Sequence, residues 1–171
     1  MSASPVHLRI AADADINQIS ELRRVVSCEA YAAYDPDLIS PWAAWRHRPD
    51  IVRNECLGRP GAFMLAAVNI DQSIVGTGYV HLASHNHGCN AYLGGVYLDP
   101  AARRIGLGSR IVTCLLDWLR QHQADRVLIE VANENHPALR MYQSFGFVER
   151  NRVFNDRGIP DLFWVEMTLD L

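Results

Sequence analysis

The spacing of apolar and polar side chains in the first third of the chain predicts a strand followed by helices. Residues 6–10 alternate apolar and polar side chains like a short strand. Apolar residues then recur at helical spacing from Ile16 to Val26, after two aspartates that are suitable helix caps. Residues 34–49 contain three prolines, so we expect a loop with a short helix there, continuing into 50–57.

The middle of the chain predicts three strands. Residues 62–68 and 73–82 are apolar runs joined by a tight turn, as in a hairpin. Residues 91–98 form a third run, which contains Gly94 and Gly95 in its interior. Glycines inside a strand often mark a bulge or a close approach of the backbone, so we expect an irregular strand at this point.

The second half of the chain predicts helices and strands in alternation. Residues 108–123 give the clearest helix, and residues 126–131 read as a buried strand. A second helix is expected from Asn135, with a proline in its first turn and a glycine after its end. Residues 147–154 and 161–169 read as two final strands. One apolar stripe runs along the first of these helices: Ile111, Leu115, Trp118 and Leu119.

This order of elements predicts one domain of mixed α/β class over residues 1–171. Strands joined by hairpins are antiparallel, whereas the strand–helix–strand passage through 91–131 predicts a parallel crossover. We therefore expect a mixed, mostly antiparallel sheet of six to seven strands with helices on both faces. If the final strand forms an exposed edge, it can pair with a second copy, so the sequence allows a homodimer.

Composition narrows the class of protein. Nineteen acidic against sixteen basic residues give a net charge of -3, which does not indicate nucleic-acid binding. The four cysteines are far apart and form no C-x-x-C pair, so we expect reduced thiols in a cytoplasmic protein. We expect no signal peptide. No apolar stretch approaches the ~18 residues of a membrane span, so we also expect no membrane partner.

Residues 98–111, LDPAARRIGLGSRI, combine glycine and arginine where a predicted strand passes into a predicted helix. The first turn of a helix leaves N–H groups unpartnered and carries the positive end of the helix dipole. Gly106 and Gly108 have no side chains, so an anion can approach those groups closely. The segment therefore suits a diphosphate. Three guanidinium groups, which match phosphate geometry, add positive charge: Arg103, Arg104 and Arg110.

Two nucleotide-binding motifs fit this segment less well. A phosphate-loop NTPase needs a lysine after the second glycine, and none follows Gly108. The dinucleotide motif G-x-G-x-x-G has Ile111 at its third glycine, although Glu130 lies at a plausible distance for its acidic partner. In that fold the glycines follow the strand directly, whereas several residues intervene here. A dinucleotide-binding oxidoreductase remains an alternative.

Two stretches, GGVYLDPAARRIGLGSRIVTCLLDWL and VLIEVANENHPALRMYQSFGF, together resemble the GCN5-related N-acetyltransferase (GNAT) superfamily. The shared pattern is a strand ending in Leu-Asp-Pro, then Arg-x-x-Gly-x-Gly, with core motifs over residues 95–147. After one more helix and strand come Asn135, Ala138, Tyr142 and a Gly-Phe pair. The resemblance implies the acyl-CoA N-acyltransferase fold and acetyl transfer from acetyl-CoA to a primary amine of a small molecule or peptide.

The resemblance also implies where acetyl-CoA binds. Val96 and Leu98 would offer backbone groups to the pantetheine arm, in a cleft where this strand parts from its neighbour. On the next helix, Asn135, Leu139 and Tyr142 fall on one face and would contact the cofactor. No metal is expected. The diphosphate would be bound by the loop residues Arg103, Arg104, Ile105, Gly106, Leu107, Gly108 and Ser109.

The resemblance implies that Tyr142 protonates the departing thiolate, and the alternative is a core tyrosine with a satisfied hydroxyl. Asn135 is expected to cap its helix, to orient the pantetheine, or to do both. The amine must lose a proton, but Tyr92 stands where many family members carry an acidic residue. Glu130 on the neighbouring strand is our first candidate for the general base, and His81 is the second.

Three further groups have two interpretations each. The tract that holds His81, His85, His87 and Cys89 either binds zinc or, as we prefer, lines the acceptor pocket. Four aromatic residues either form an acceptor pocket or pack between the first helices: Tyr31, Tyr34, Trp42 and Trp45. Cys114 either forms a covalent acetyl-cysteine or, as we prefer, is a small buried apolar residue. The sequence specifies no particular acceptor, and a non-catalytic acyl-CoA sensor remains an alternative.

Overall fold

The computed structural model describes residues 6–154 and 159–171. Within these residues the chain forms five α-helices: α1 (Ile16–Ala30), α2 (Pro36–Arg46), α3 (Pro49–Cys56), α4 (Leu107–Gln121) and α5 (His136–Ser144). The described chain also forms seven strands: β1 (His7–Ile10), β2 (Ala62–Val68), β3 (Ile74–Leu82), β4 (Ala91–Leu98), β5 (Arg126–Ala132), β6 (Val148–Phe154) and β7 (Phe163–Asp170).

The seven described strands form one sheet in the order β1-β2-β3-β4-β5-β7-β6. β4 and β5 are parallel and are connected through α4, and the other neighbouring pairs are antiparallel. This arrangement confirms the predicted mixed, mostly antiparallel sheet and its single parallel crossover.

The segment predicted as a loop with a short helix is more regular than expected, since it forms both α2 and α3. Pro36 and Pro49 lie in the first turns of these helices, where a missing N–H group costs no hydrogen bond. The Asp35 carboxylate caps α2 by accepting the N–H of Asp37 at 2.9 Å. Two of the three prolines therefore begin helices and do not break them.

The final strand is not an edge of the sheet. β7 lies between β5 and β6 and is hydrogen-bonded to both. The expectation that this strand offers an exposed edge to a second copy is therefore wrong. The two edges of the described sheet are β1 and β6, because the last hairpin inserts its second strand beside β5.

Helices cover both faces of the sheet, as predicted. On one face, α4 and α5 form the main core, in which Ile111, Leu115 and Leu119 are fully buried. On the other face, α1 and α3 pack a second core against β2 and β3, and Ile16 and Val52 are fully buried there. Among the described residues, no helix is both long and apolar enough to cross a lipid bilayer.

Cys114 is exposed, so the expectation that it is buried is wrong. The buried stripe of α4 includes Val112 and Leu116 besides the predicted leucines. Its centre therefore lies farther around the helix than the sequence pattern indicates, and Cys114 falls outside it.

Replacing Leu115 by alanine should destabilise the protein by about 2–5 kcal/mol, because it leaves a cavity in a core where the side chain is fully buried. Urea unfolding followed by circular dichroism measures this change. Cys114→Ala on the same helix is the matched control and should stay within about 0.5 kcal/mol. Equal losses in both variants would contradict the assignment of the buried face.

Candidate active site

The candidate site begins where two parallel strands part. β4 and β5 are paired at only two positions, Ala91 with Val127 and Tyr92 with Leu128. Beyond Tyr92 the backbone of β4 has no partner in β5, although both strands continue. A gap therefore opens in the middle of an otherwise continuous sheet.

A β-bulge in β4 accompanies this parting. Its register against β3 shifts by one residue between Gly94 and Tyr97. Gly95 has a φ of 59°, in the left-handed region that favours glycine. A Cβ atom on Gly95 would also come within 2.7 Å of the Tyr79 ring. This position therefore requires glycine on two counts, and the expected irregularity near Gly94 and Gly95 is confirmed.

The gap opens into a cavity of about 460 Å³ whose walls come from both faces of the sheet. Tyr142 and the N-cap residue Asn135 line it from α5, whereas the opposite wall is lined by Arg23 on α1, Tyr31 just after α1 and Trp42 on α2. A second cavity, of about 400 Å³, adjoins it. The two cavities share four residues: Arg46, Tyr79, Tyr92 and Glu130. Groups on opposite faces of the sheet can therefore meet in the gap.

The first turn of α4 is open to solvent. Gly106 is its N-cap, with a φ of 78° and no side-chain cap, and nothing lies within 4 Å of the position of a Cβ atom. The first helical hydrogen bond runs from the Arg110 N–H to the Gly106 carbonyl at 3.0 Å. The N–H groups of Leu107, Gly108 and Ser109 therefore have no partner within the helix. This is the geometry that an anion needs.

The arginines beside this turn differ in their contacts. The Arg103 guanidinium donates to the Glu29 carboxylate at 2.8 and 2.6 Å and to the Leu98 carbonyl at 3.1 Å. Arg104 is exposed and makes no side-chain hydrogen bond or ion pair with the described residues. Arg104 is therefore the arginine that is free to contact a diphosphate, and the contact expected of the Arg103 side chain remains a prediction.

The two glycines of the motif, Gly106 and Gly108, have different surroundings. Gly108 is buried, and a Cβ atom there would lie 3.3 Å from both Leu98 and Met141. Its missing side chain lets α4 pack closely against β4 and α5. The close approach of an anion, which we expected at both glycines, is supported at Gly106, whose surroundings are open, and remains a prediction at Gly108.

Three residues of α5 and its N-cap line the cavity: Asn135, Ala138 and Tyr142. The Asn135 side chain caps the helix by accepting the Ala138 N–H at 3.3 Å, which confirms the capping interpretation. Leu139 packs against the main core and is not in the cavity wall, so its cofactor contact remains a prediction.

Tyr142 is buried, with 6% of its surface exposed, and its side chain borders the cavity. Its hydroxyl makes no hydrogen bond with the described residues, unlike a core tyrosine whose hydroxyl is satisfied. Burial raises the pKa of Tyr142 well above its ordinary value, so the hydroxyl stays protonated. It is therefore available as a donor to a group in the cavity.

Tyr92 and Glu130 form a pair where the two cavities meet. The Tyr92 hydroxyl donates to Glu130 Oε2 at 3.2 Å, and burial raises the pKa of Tyr92 well above its ordinary value. Tyr92 occupies the position where the resemblance led us to look for an acidic residue. Its hydroxyl instead holds a carboxylate that comes from the next strand.

The histidine tract divides into two separate contacts. His81 and His85 share a hydrogen bond between their Nε2 atoms at 3.1 Å and line the second cavity. The His87 ring and the Asn86 amide instead contact the buried Glu166 carboxylate at 2.8 and 3.0 Å. No group of three or more candidate metal ligands lies together in the part of the chain that the structure describes.

The predicted role of His81 as a base has weak support. Burial lowers the pKa of His81 to about 4, so the ring is neutral near pH 7 but has little affinity for a proton. Glu130 remains the stronger candidate. The pocket-lining interpretation of this tract fits His81 and His85.

Two of the four aromatic residues near the first helices both pack together and line the cavity. Tyr31 and Trp42 pack edge to face, with ring centroids 5.3 Å apart, and both line the larger cavity. The ring centroids of Tyr34 and Tyr31 are 6.3 Å apart, and Trp45 is half exposed. Neither Tyr34 nor Trp45 is in a cavity wall. Packing and pocket formation are therefore performed by the same side chains.

Replacing His81 by glutamine should reduce the loss of stability at acid pH. Because the folded-state pKa of about 4 lies below the ordinary 6.5, the unfolded chain binds a proton between these pH values that the folded chain does not. The stability from this residue is full above about pH 6.5 and falls by up to about 3 kcal/mol toward pH 4. Urea unfolding at several pH values measures it. The control is the exposed His136→Gln, and equal pH profiles for both variants would contradict the assignment.

Comparison with known proteins places this geometry among acetyltransferases. Aminoglycoside N(6′)-acetyltransferase type 1 of Serratia marcescens is 26% identical over 135 residues, 70% of this chain and 91% of the relative. Mycothiol acetyltransferase of Acidothermus cellulolyticus is 39% identical over 67 residues, 37% of this chain and 20% of the relative. The chain spans between a fifth and about a third of the length of several curated relatives that it matches.

Solved structures share the fold over nearly the whole chain. PaiA N-acetyltransferase of Thermoplasma acidophilum, in complex with coenzyme A, has a TM-score of 0.77 at 17% identity. The likeness covers 98% of this chain and 99% of that one. A sequence model of the acetyltransferase (GNAT) family matches residues 26–147, which are most of the chain and include the parting strands, the open helix turn and Tyr142. The chain belongs to the acetyltransferase (GNAT) family.

Proposed function

We propose that this protein transfers the acetyl group of acetyl-CoA to a primary amine of a small molecule or peptide, with both substrates bound together. The observation that carries the proposal is the cavity through the sheet, with Tyr142 on one face and Arg23 and Tyr31 on the other. A thioester held from one face and an amine entering from the other meet where β4 and β5 part.

The open first turn of α4 supports the binding of the cofactor's diphosphate. Its free N–H groups, the helix dipole and the exposed Arg104 all favour an anion at this point. Beyond Tyr92, β4 has backbone groups unpaired by β5 for the pantetheine arm, and Val96 lies in this stretch and in the cavity wall. The Leu98 carbonyl already accepts a hydrogen bond from Arg103, which leaves Val96 as the better supported of the two predicted contacts.

Two groups support the chemistry. The amine nitrogen attacks the thioester carbonyl carbon, the carbon–sulfur bond breaks, and the thiolate needs a proton. Tyr142 is the donor that we propose, because its hydroxyl is protonated and has no partner among the described residues. Glu130 accepts the proton from the amine, directly or through water, and the Tyr92 hydroxyl orients its carboxylate.

The alternatives have less support. A dinucleotide-binding sheet is mostly parallel, whereas β4 and β5 are the one parallel pair among the described strands. A non-catalytic acyl-CoA sensor needs a binding site for the cofactor but no passage to the other face of the sheet. The cavity through the sheet therefore favours turnover.

Location and assembly remain predictions. All four cysteines are free thiols, which supports the proposal of a cytoplasmic protein. A homodimer would need a surface other than β7. The edge strand β6 is exposed along its length and carries Val148, Val153 and Phe154, so it is the better candidate for pairing with a second copy.

Replacing Arg104 by glutamate should weaken CoA binding by about tenfold or more, because it puts a negative charge beside the proposed diphosphate site. Isothermal titration calorimetry with CoA measures the change. Arg120→Glu, near the C-terminal end of α4, is the matched control and should leave affinity within about threefold. Stabilisation of the wild-type protein by NADH but not by CoA would overturn the assignment.

Replacing Tyr142 by phenylalanine should lower kcat by about 100-fold or more while KM for acetyl-CoA stays within about threefold, because only the proton donor is lost. CoA release measured with a panel of amines gives both constants. Tyr34→Phe removes a hydroxyl outside the cavity and should keep kcat. Equal losses in kcat and affinity would instead assign Tyr142 a structural role, and CoA binding without any turnover would favour the sensor.

A further inference from the structure

Arg23 is a buried charge that lines the larger cavity. It lies on α1, only 1% of its surface is exposed, and its side chain is in the wall that faces the gap between β4 and β5. A guanidinium that is removed from water is stable only when anions and hydrogen-bond acceptors replace the water. The partners of Arg23 therefore decide whether it is structural or awaits a ligand.

The described residues do not satisfy this guanidinium. Its nearest carboxylate oxygen, Glu55 Oε2, is 3.7 Å from Nη2, which is longer than a hydrogen bond. Nη1 has only the Cys56 sulfur, at 3.8 Å, and Nε has no acceptor among the residues that the structure describes. The rings of Tyr79 and Tyr97, 5.8 and 5.3 Å from Cζ, favour a cation but accept no strong hydrogen bond.

The carboxylates near Arg23 have other partners. The other oxygen of Glu55 is paired with Arg46 at 2.7 Å, and Arg46 also lines the cavity. Two guanidinium groups thus face the Glu55 carboxylate, and the carboxylate of Glu130, which also lines the cavity, accepts a hydrogen bond from the Tyr92 hydroxyl. An anion in the cavity would complete the hydrogen bonds of Arg23.

The position of Arg23 indicates which substrate brings this anion. Arg23 is on the face of the sheet covered by α1, opposite the main core that holds α4 and α5. The phosphates of CoA are proposed to bind at the first turn of α4, so we assign this anion to the other substrate. Its Cζ lies 3.6 Å from the position that a Cβ on Gly95 would occupy, beside the start of the gap. An anion bound by Arg23 would therefore lie beside the gap in which the amine is proposed to react.

We propose that the acceptor is an α-amino acid whose carboxylate binds Arg23 and whose side chain is apolar. This inference rests on the proposed acetyl transfer and specifies its acceptor. A carboxylate matches a guanidinium with two parallel hydrogen bonds, and an α-amine lies two bonds from its carboxyl carbon. The rings of Tyr31, Trp42 and Trp164 line the same cavity and supply apolar contacts for the side chain. A volume of about 460 Å³ suits a ligand of this size.

The experiment compares L-phenylalanine, L-tryptophan and L-methionine with their carboxamides, which keep the shape of the acceptor but lose its charge. CoA release should give the wild-type protein a kcat/KM at least about tenfold higher for the acids. Arg23→Met should remove this preference by lowering kcat/KM for the acids at least about tenfold more than kcat/KM for the carboxamides. Arg24→Met, which removes the neighbouring arginine that pairs with Glu21 on the helix surface, should keep the preference.

Two further measurements separate recognition from stability and from catalysis. Without substrates, Arg23→Met should keep or raise Tm, because it removes a buried charge that lacks a hydrogen-bonded partner. Calorimetry with N-acetyl-L-phenylalanine in the presence of CoA should show binding to the wild-type protein and about tenfold weaker binding to Arg23→Met. This second readout needs no turnover.

The experimental outcomes distinguish a failure of this inference from a failure of the proposed function. Acetylation of amines with no preference for the carboxylate in the wild-type protein would overturn this inference and leave the proposed function standing. A lower Tm in Arg23→Met with an unchanged preference for the acids would assign Arg23 a structural role and also overturn it. Absence of both acetyl-CoA binding and acetyl transfer would overturn the proposed function, and this inference with it.

Discussion

The parting of β4 from β5 is the constraint on which the site depends. The two strands share only two residue pairs, and the bulge at Gly95 turns β4 away before the sheet can close. A continuous ladder would have paired the backbone groups of β4 and filled the space with side chains from both strands. Because the ladder stops, the protein has unpaired backbone, a passage through the sheet and a place for side chains from both faces to meet.

Polar groups around this gap are less satisfied than buried groups usually are. The Tyr142 hydroxyl has no hydrogen bond to the described residues, and the Arg23 guanidinium lacks a close carboxylate. Buried polar atoms without partners reduce stability, so they persist where a ligand supplies the partner. The same reasoning separates Arg103, which is paired with Glu29, from Arg104, which is exposed without such a pair. Whether a group already has a hydrogen-bond partner, more than its residue type, therefore determines whether it is available to a substrate.

Predictions from local signals agree with the structure where neighbouring residues decide the outcome. The bulge at Gly95, the cap at Asn135 and the helix that begins after Gly106 all depend on backbone preferences within a few residues. Predictions that depend on distant neighbours differ more often. Gly108 has a packing role that the motif does not indicate, because Leu98 and Met141 lie against it. Cys114 is exposed because the sheet covers a neighbouring part of α4.

The sequence by itself determined the order of the elements, the open turn at the start of α4 and the motifs that resemble the family, because each is encoded over a few residues. The family match with residues 26–147 agrees with that resemblance. Only the tertiary structure decided that β7 inserts beside β5, that Tyr92 holds Glu130 and that Arg23 is buried without a close anion. These features join residues tens of positions apart, and no local preference of the chain specifies which distant side chains meet.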